Sequence, residues 1–323
     1  MKCTVDHMLK WLRWLIAAMA YAFLCYKLAT YNDYTSIRQL ISDATWRNWL
    51  WFVGALLLMP VNLLLESMKW RVLISPVHRA TIHESVNMVF WGQTGAFFTP
   101  NRLGEFPTRV MLMSDGTRAT SIALGFVGSL AQTICISIFG IIGFHFFSPY
   151  FFSFFAHNEQ FNAPHIPITL YISIVALLLL LYFTFPYIIN KVRQCKNATL
   201  KKIQEVSGNI TFTYLFKVII LSTLRYFVFC LQSFFMYHFC FVDIPINIAI
   251  FAIPTFYLFV TYTPSISVSE IAIRGSYAAF IMRCCQLNDI GAILASSFIW
   301  VINFCLPMLL GSAFVKHNHK NRQ

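Results

Sequence analysis

Charge is what this sequence has least of. Only 11% of its 323 residues are Asp, Glu, Lys or Arg, against roughly a quarter in an ordinary globular domain. Such a chain cannot cover a water-facing surface, so a soluble class is excluded. Acidic residues are scarcest, 12 against 24 Lys and Arg. They form no D-x-D, no H-E-x-x-H and no closely spaced pair, which removes the usual equipment of a metal-dependent glycosyl- or phosphotransferase. There is no G-x-S-x-G elbow and no P-loop, so neither acyl transfer through that motif nor coupling to an ATPase within the chain is expected. The nine cysteines make no C-x-x-C pair and mostly fall in apolar segments, as packed thiols do. His317 and His319 have no third ligand beside them, and no metal or other cofactor is expected. The formal charge of +12 comes without a basic-aromatic module, so nucleic acid is not an expected partner.

What remains is apolar: 58% hydrophobic residues, 17% aromatic and a mean hydropathy of +0.64. A hydrocarbon core about 30 Å thick needs about 20 such residues per helical crossing. Six runs are long enough, at 11–30, 48–68, 120–147, 167–189, 212–239 and 290–315. The first lacks a small residue before Cys25, as a cleavage site would need, and is read as a retained span. Two further regions, 83–116 and 246–286, are apolar, then broken, then helical again. The expected fold is an all-α polytopic membrane protein in one integral domain, 1–323.

Loop charges orient it. Lys2, Lys10 and Arg13, then Lys69, Arg71 and Arg79, then Lys191, Arg193, Lys196, Lys201 and Lys202, then Lys316, Lys320 and Arg322 mark cytoplasmic sides. The stretches 148–166 and 241–247 have no Lys or Arg and are placed outside. Counting each broken region as one crossing puts 148–166 on the same side as the basic loop 69–83. Two re-entrant hairpins remove the conflict and leave both termini cytoplasmic, as in an inner-membrane protein. Pairs of short full crossings would give the same sides.

The two breaks also match each other. Thr99-Pro100-x4-Glu105-x3-Arg109 corresponds to Thr263-Pro264-x5-Glu270-x3-Arg274, with an offset of about 165 residues. Repeats of approximately 1–150 and 165–315, inverted because three crossings separate the hairpins, are a recurrent transporter architecture. Backbone that leaves helix geometry within hydrocarbon survives only inside protein or around a cavity. Pro100 suits a helix restart, Asn101 lies in the break, and Gly104 permits close approach by chain or ligand. Ser265, Ser267 and Ser269 offer hydroxyls in the second half. Each restarting helix would turn its positive end to the break, making an anion site.

Arg225, near the middle of the 212–239 run, would cost at least about 2.5 kcal/mol unpaired and needs a partner. Together with Arg102, Arg109 and Arg274 it could grip a phosphate, which guanidinium binds in bidentate fashion. Glu105 and Glu270 precede arginines by four residues, in the favourable order for ion pairing, and would balance charge or exchange protons. An ordinary helical ion pair is the plainer reading of each, weakened by its repetition. Glu66, Lys69 and Arg71 read as interfacial anchors at the end of the second run. Gln93, Thr94 and Gln232 would either line a cavity or bond between helices.

Glu66-Ser67-Met68-Lys69-Trp70-Arg71, the Pro100-x-Arg102-x-Gly104-Glu105-x3-Arg109 block and Ser269-Glu270-Ile271-Ala272 together resemble the transmembrane flippase region of lysylphosphatidylglycerol synthases and its stand-alone relatives. That family usually has glycines before the second Glu, where Ser265 to Ser269 stand here. The resemblance spans nearly the whole chain and implies movement of a phosphate-bearing lipid between leaflets. The family's soluble aminoacyl-transferase domain would follow the membrane part, and the chain ends at Gln323, so no synthase activity is expected. The leading expectation is therefore a lipid flippase or carrier with no catalytic residues, partnered by anionic membrane lipids. The alternatives are an accessory subunit presenting a lipid-linked precursor to a separately encoded transferase, and a non-metal lipid-modifying enzyme.

Overall fold

The computed structural model describes residues 42, 45–97, 99, 102–155, 167–191, 205–206, 210–263 and 267–311. The expected span 11–30, most of the basic stretch 190–210, the charged tail, Pro100, Asn101 and Ser265 lie outside these residues. Among the described residues the chain is helical, with no strand.

In chain order the helices are α1 (Trp46–Ile74), α2 (Ile82–Phe97), α3 (Glu105–Arg109), α4 (Asp115–Phe155), α5 (Ile168–Lys191), α6 (Phe212–Phe239), α7 (Ile246–Tyr262), α8 (Ser267–Cys284) and α9 (Asp289–Trp300). A π-helical segment, Val301–Cys305, carries α9 onward to Gly311. Four helical stretches, Trp46–Ile74, Gly116–Phe155, Phe212–Phe239 and Asp289–Gly311, are long and apolar enough to cross a membrane. They contain three of the six runs read from hydropathy and the described part of a fourth, 290–315. The helix α5 matches a fifth, with a shorter apolar stretch at Thr169–Thr184.

The hairpin limbs are shorter. The 16 residues of α2 and the 17 of α7 rise about 24 and 25 Å, less than the hydrocarbon thickness. Two details differ from expectation. After the first break the helix lasts only five residues and a 3₁₀ turn, Val110–Leu112, because Met113 becomes extended and Thr117 N–H bonds Ser114 C=O at 3.0 Å to start α4. And α4 runs to Phe155, through Pro149, where an external loop was expected from Ser148.

Local chemistry fixes the helix starts. The Thr211 hydroxyl accepts from Tyr214 N–H at 3.3 Å to open α6, and the Asn288 side chain accepts from Gly291 N–H at 3.0 Å to open α9. The most extensive packing joins α1 to α6. Helix α4 packs along α7, α8 packs along α9, and the end of α9 meets α2 where Gly311 lies against the Phe90 carbonyl.

Burial differs from a soluble protein's. Asn62, Glu66, Lys69, Arg109 and Gln232 are all buried, whereas Leu57 on α1, Ile172 on α5 and Phe212 on α6 are each at least 60% exposed. Apolar side chains pointing outward at that density belong against lipid. The thiols of Cys135, Cys230, Cys240, Cys284, Cys285 and Cys305 are free and buried or half-buried, as expected of packed cysteines.

Candidate functional site

The first break is held by its own backbone and one hydroxyl. Thr99 Oγ1 accepts from Gly104 N–H at 2.7 Å and donates to Gly95 C=O at 3.3 Å. A Cβ on Gly104 would sit 2.6 Å from the Gly95 carbonyl oxygen, so glycine is required there for space, and it is chain that approaches it. Arg102 takes a left-handed conformation, φ 59°, which costs a non-glycine residue about 1–3 kcal/mol. The turn carries its guanidinium over the Phe304 ring, 4.5 Å from the centroid, with Nη2 donating to Gln93 Oε1 at 2.7 Å.

Three cations converge on Glu66. Lys69 Nζ lies 2.7 Å from Oε2, Arg225 Nη1 2.7 Å from Oε2 and Arg109 Nη2 2.8 Å from Oε1. Arg109 also pairs with Glu105, and its guanidinium covers the Trp70 ring at 5.1 Å. Glu66 and Lys69 are only 4% and 3% exposed. This corrects their reading as interfacial anchors: the side chains turn inward, because the cations of α3 and α6 supply in the interior the compensation that head groups would supply at the surface. Arg71, in contrast, donates from Nε to the Ala80 carbonyl at 3.2 Å.

From Arg225 a chain of amides crosses the bundle. Its Nε donates to Asn62 Oδ1 at 2.7 Å, Asn62 Nδ2 to Asn303 Oδ1 at 3.3 Å, Asn303 Nδ2 to Gln232 Oε1 at 2.6 Å, and Gln232 Nε2 to the Ala55 carbonyl at 2.9 Å. Asn303 lies within the π-helical segment, whose extra residue per turn rotates side chains out of the α-helical rows and commonly marks functional sites. Gln232 thus bonds between helices, Gln93 positions Arg102, and Thr94 donates back to Phe90 C=O at 3.2 Å.

A cavity of about 510 Å³ opens beside this network. Arg102, Arg225, Arg274, Glu270 and Thr99 line it, with Asn62, Gln93, Gln132 and Asn303 adding polar groups and Tyr226, Phe229, Trp300 and Phe304 adding rings. Arg274 pairs with Glu270 through Nη2 at 2.8 Å and Nε at 2.9 Å. Three of the four arginines picked from the sequence therefore share one cavity. Arg109, 1% exposed, does not line it, nor do Glu105 and Gly104. Ser267 and Ser269 fall in the first turn of α8. The expectation of two opposed helix ends does not hold in the first half, since the five-residue α3 is too short to carry an appreciable dipole.

A second, apolar groove of about 540 Å³ adjoins the first, lined by Ile141, Ile174, Leu178, Leu258, Phe259 and Tyr277 together with Tyr262 and Thr263. The last two residues also line the polar cavity. Their hydroxyls are tied to neighbouring helices, Tyr262 to Ser137 at 2.7 Å and Thr263 to Tyr277 at 2.9 Å.

Residues 10–311 match the family model of the lysylphosphatidylglycerol synthase TM region. No curated protein and no solved structure matches the chain. The chain belongs to the lysylphosphatidylglycerol synthase TM region family.

Proposed function

We propose that this protein is a carrier that moves a lipid with a phosphate-bearing head group between the leaflets of the inner membrane, with both termini cytoplasmic. The observation that supports it best is the junction at Tyr262 and Thr263, where a cationic polar cavity and an apolar groove share a wall. An amphiphile is the class of ligand that needs both chambers at once. Head-group phosphate in the polar cavity meets arginine guanidinium, which favours oxyanions, and the chain lies along α4, α5 and α7.

An inverted repeat gives the reading its mechanical basis. Pairing α1 with α6, the α2–α3 hairpin with α7–α8, and α4 with α9 makes the α4–α7 and α9–α2 contacts images of each other, and the α1–α6 contact its own image. Asn62 and Arg225, 163 residues apart, then lie within two positions of equivalence and touch. Rocking of the halves about this contact would expose the cavity to either side in turn. Within it, Arg102, Arg225 and Arg274 bind the head group, and Glu270 releases Arg274 to the incoming phosphate.

The test is leaflet transfer by the purified full chain in vesicles, read by chemical quenching of a fluorescently tagged anionic phospholipid. Transfer above protein-free vesicles, lost in Arg225→Gln, is the expected result. Transfer absent from well-folded protein would overturn the carrier, and turnover of the lipid into a new product would replace it with an enzyme.

A further inference from the structure

The charge around the polar cavity narrows the head group, an inference that rests on the carrier reading. Among the described lining residues, the charged side chains are Arg102, Arg225, Arg274 and Glu270, three cations against one carboxylate. The groups paired to them add nothing: Glu66 and Glu105 are matched by Lys69 and Arg109. Counted together with the lining groups, they make five cations and three carboxylates, a surplus of two positive charges. Solvent between the walls would soften such a surplus, but buried like charges still favour a ligand that cancels them.

Among the described residues, donors remain for that ligand. Arg225 uses Nε on Asn62 and Nη1 on Glu66, leaving Nη2. Arg274 uses Nε and Nη2 on Glu270, leaving Nη1. Arg102 uses Nη2 on Gln93, leaving Nη1. We infer that the cavity takes a lipid head group carrying two negative charges, a phosphomonoester or diphosphate, in preference to a singly charged phosphodiester. A terminal phosphate offers three oxygens to three arginines, whereas a diester has two free oxygens and leaves one positive charge uncompensated.

The experiment is ligand-induced thermal stabilisation of the purified full chain in neutral detergent, with four probes: dioctanoyl phosphatidic acid, dioctanoyl phosphatidylglycerol, dioctanoyl phosphatidylcholine and inorganic pyrophosphate. At about pH 8, phosphatidic acid should bind at least about ten-fold tighter than phosphatidylglycerol, and the gap should narrow at about pH 5, below the second ionisation of a phosphomonoester near 6. Arg274→Gln should weaken binding of both lipids, phosphatidic acid several-fold more than phosphatidylglycerol, so that most of that preference is lost. Phosphatidylglycerol binding as tightly as phosphatidic acid at both pH values would overturn the charge inference and leave the carrier standing. Pyrophosphate binding as tightly as phosphatidic acid would assign the site to a free anion and overturn the lipid assignment. Failure of every lipid to bind, together with no leaflet transfer, would sink the carrier reading itself.

Discussion

Arg225 on α6 reaches Glu66 on α1 at 2.7 Å, and the same carboxylate holds Lys69 and Arg109. One buried anion thus compensates cations from three helices, so its removal strands several charges at once. Glu66→Gln is expected to lower stability by about 3–5 kcal/mol, the range for breaking a buried ion pair. Glu270→Gln, whose partner Arg274 is 19% exposed beside the cavity, should cost clearly less. Thermal unfolding of both variants in detergent checks the order, and equal losses would contradict the central role of Glu66.

Arg109 and Arg274 hold matching places in the two sequence motifs, yet only Arg274 lines the cavity. Arg274→Gln should therefore abolish leaflet transfer while lowering the melting temperature by less than Arg109→Gln does. Arg109→Gln should lower the melting temperature, by the equivalent of about 3 kcal/mol or more. Paired transfer and melting measurements separate the roles.

Gly104→Ala should destabilise the first hairpin by about 1–3 kcal/mol, because the new methyl group would meet the Gly95 carbonyl. Gly275→Ala is the comparison: its nearest neighbour is the Ile293 Cγ2 methyl at 3.3 Å, and helix propensity favours alanine by about 1 kcal/mol. A chemical-denaturation series reads both, and a Gly104→Ala protein as stable as the parent would show that the hairpin tolerates a wider gap.

Leu258→Trp should fill the apolar groove without touching the polar cavity. Transfer of long-chain lipid should fall by about ten-fold or more, whereas binding of a short-chain lipid should stay within about three-fold, as expected if chain and head group occupy separate chambers. Equal loss of both would argue that the groove is not where the chain lies.

Much of the architecture could be read along the chain, since it follows from local composition. Apolar run length marked α1, α4, α5, α6 and α9, and Thr-Pro marked both breaks. The demand that Arg225 find a partner was legible too, because no charge sits at that depth alone. Its identity was not. Glu66 lies near basic residues at the end of an apolar run, a pattern that ordinarily means a membrane interface, and only the crossing of α1 and α6 turns it inward. The shortness of α3 was hidden for a similar reason: Glu105–Arg109 has the spacing of a longer helix, but Met113 and Ser114 redirect the chain into α4. Asn303 gave no sign of itself, for a π-helical turn has no sequence period that distinguishes it from an α-helix.

By itself the sequence determined that this chain lives in lipid, that it is helical, and that its two interruptions carry arginines, because these properties depend on transfer free energies and backbone hydrogen bonding over short stretches. Tertiary structure alone decided which of the arginines meet a common space, which carboxylate anchors them, and where an apolar groove touches the polar cavity. Those are relations between residues from some forty to more than a hundred and fifty positions apart, fixed by how helices pack rather than by what any one of them contains.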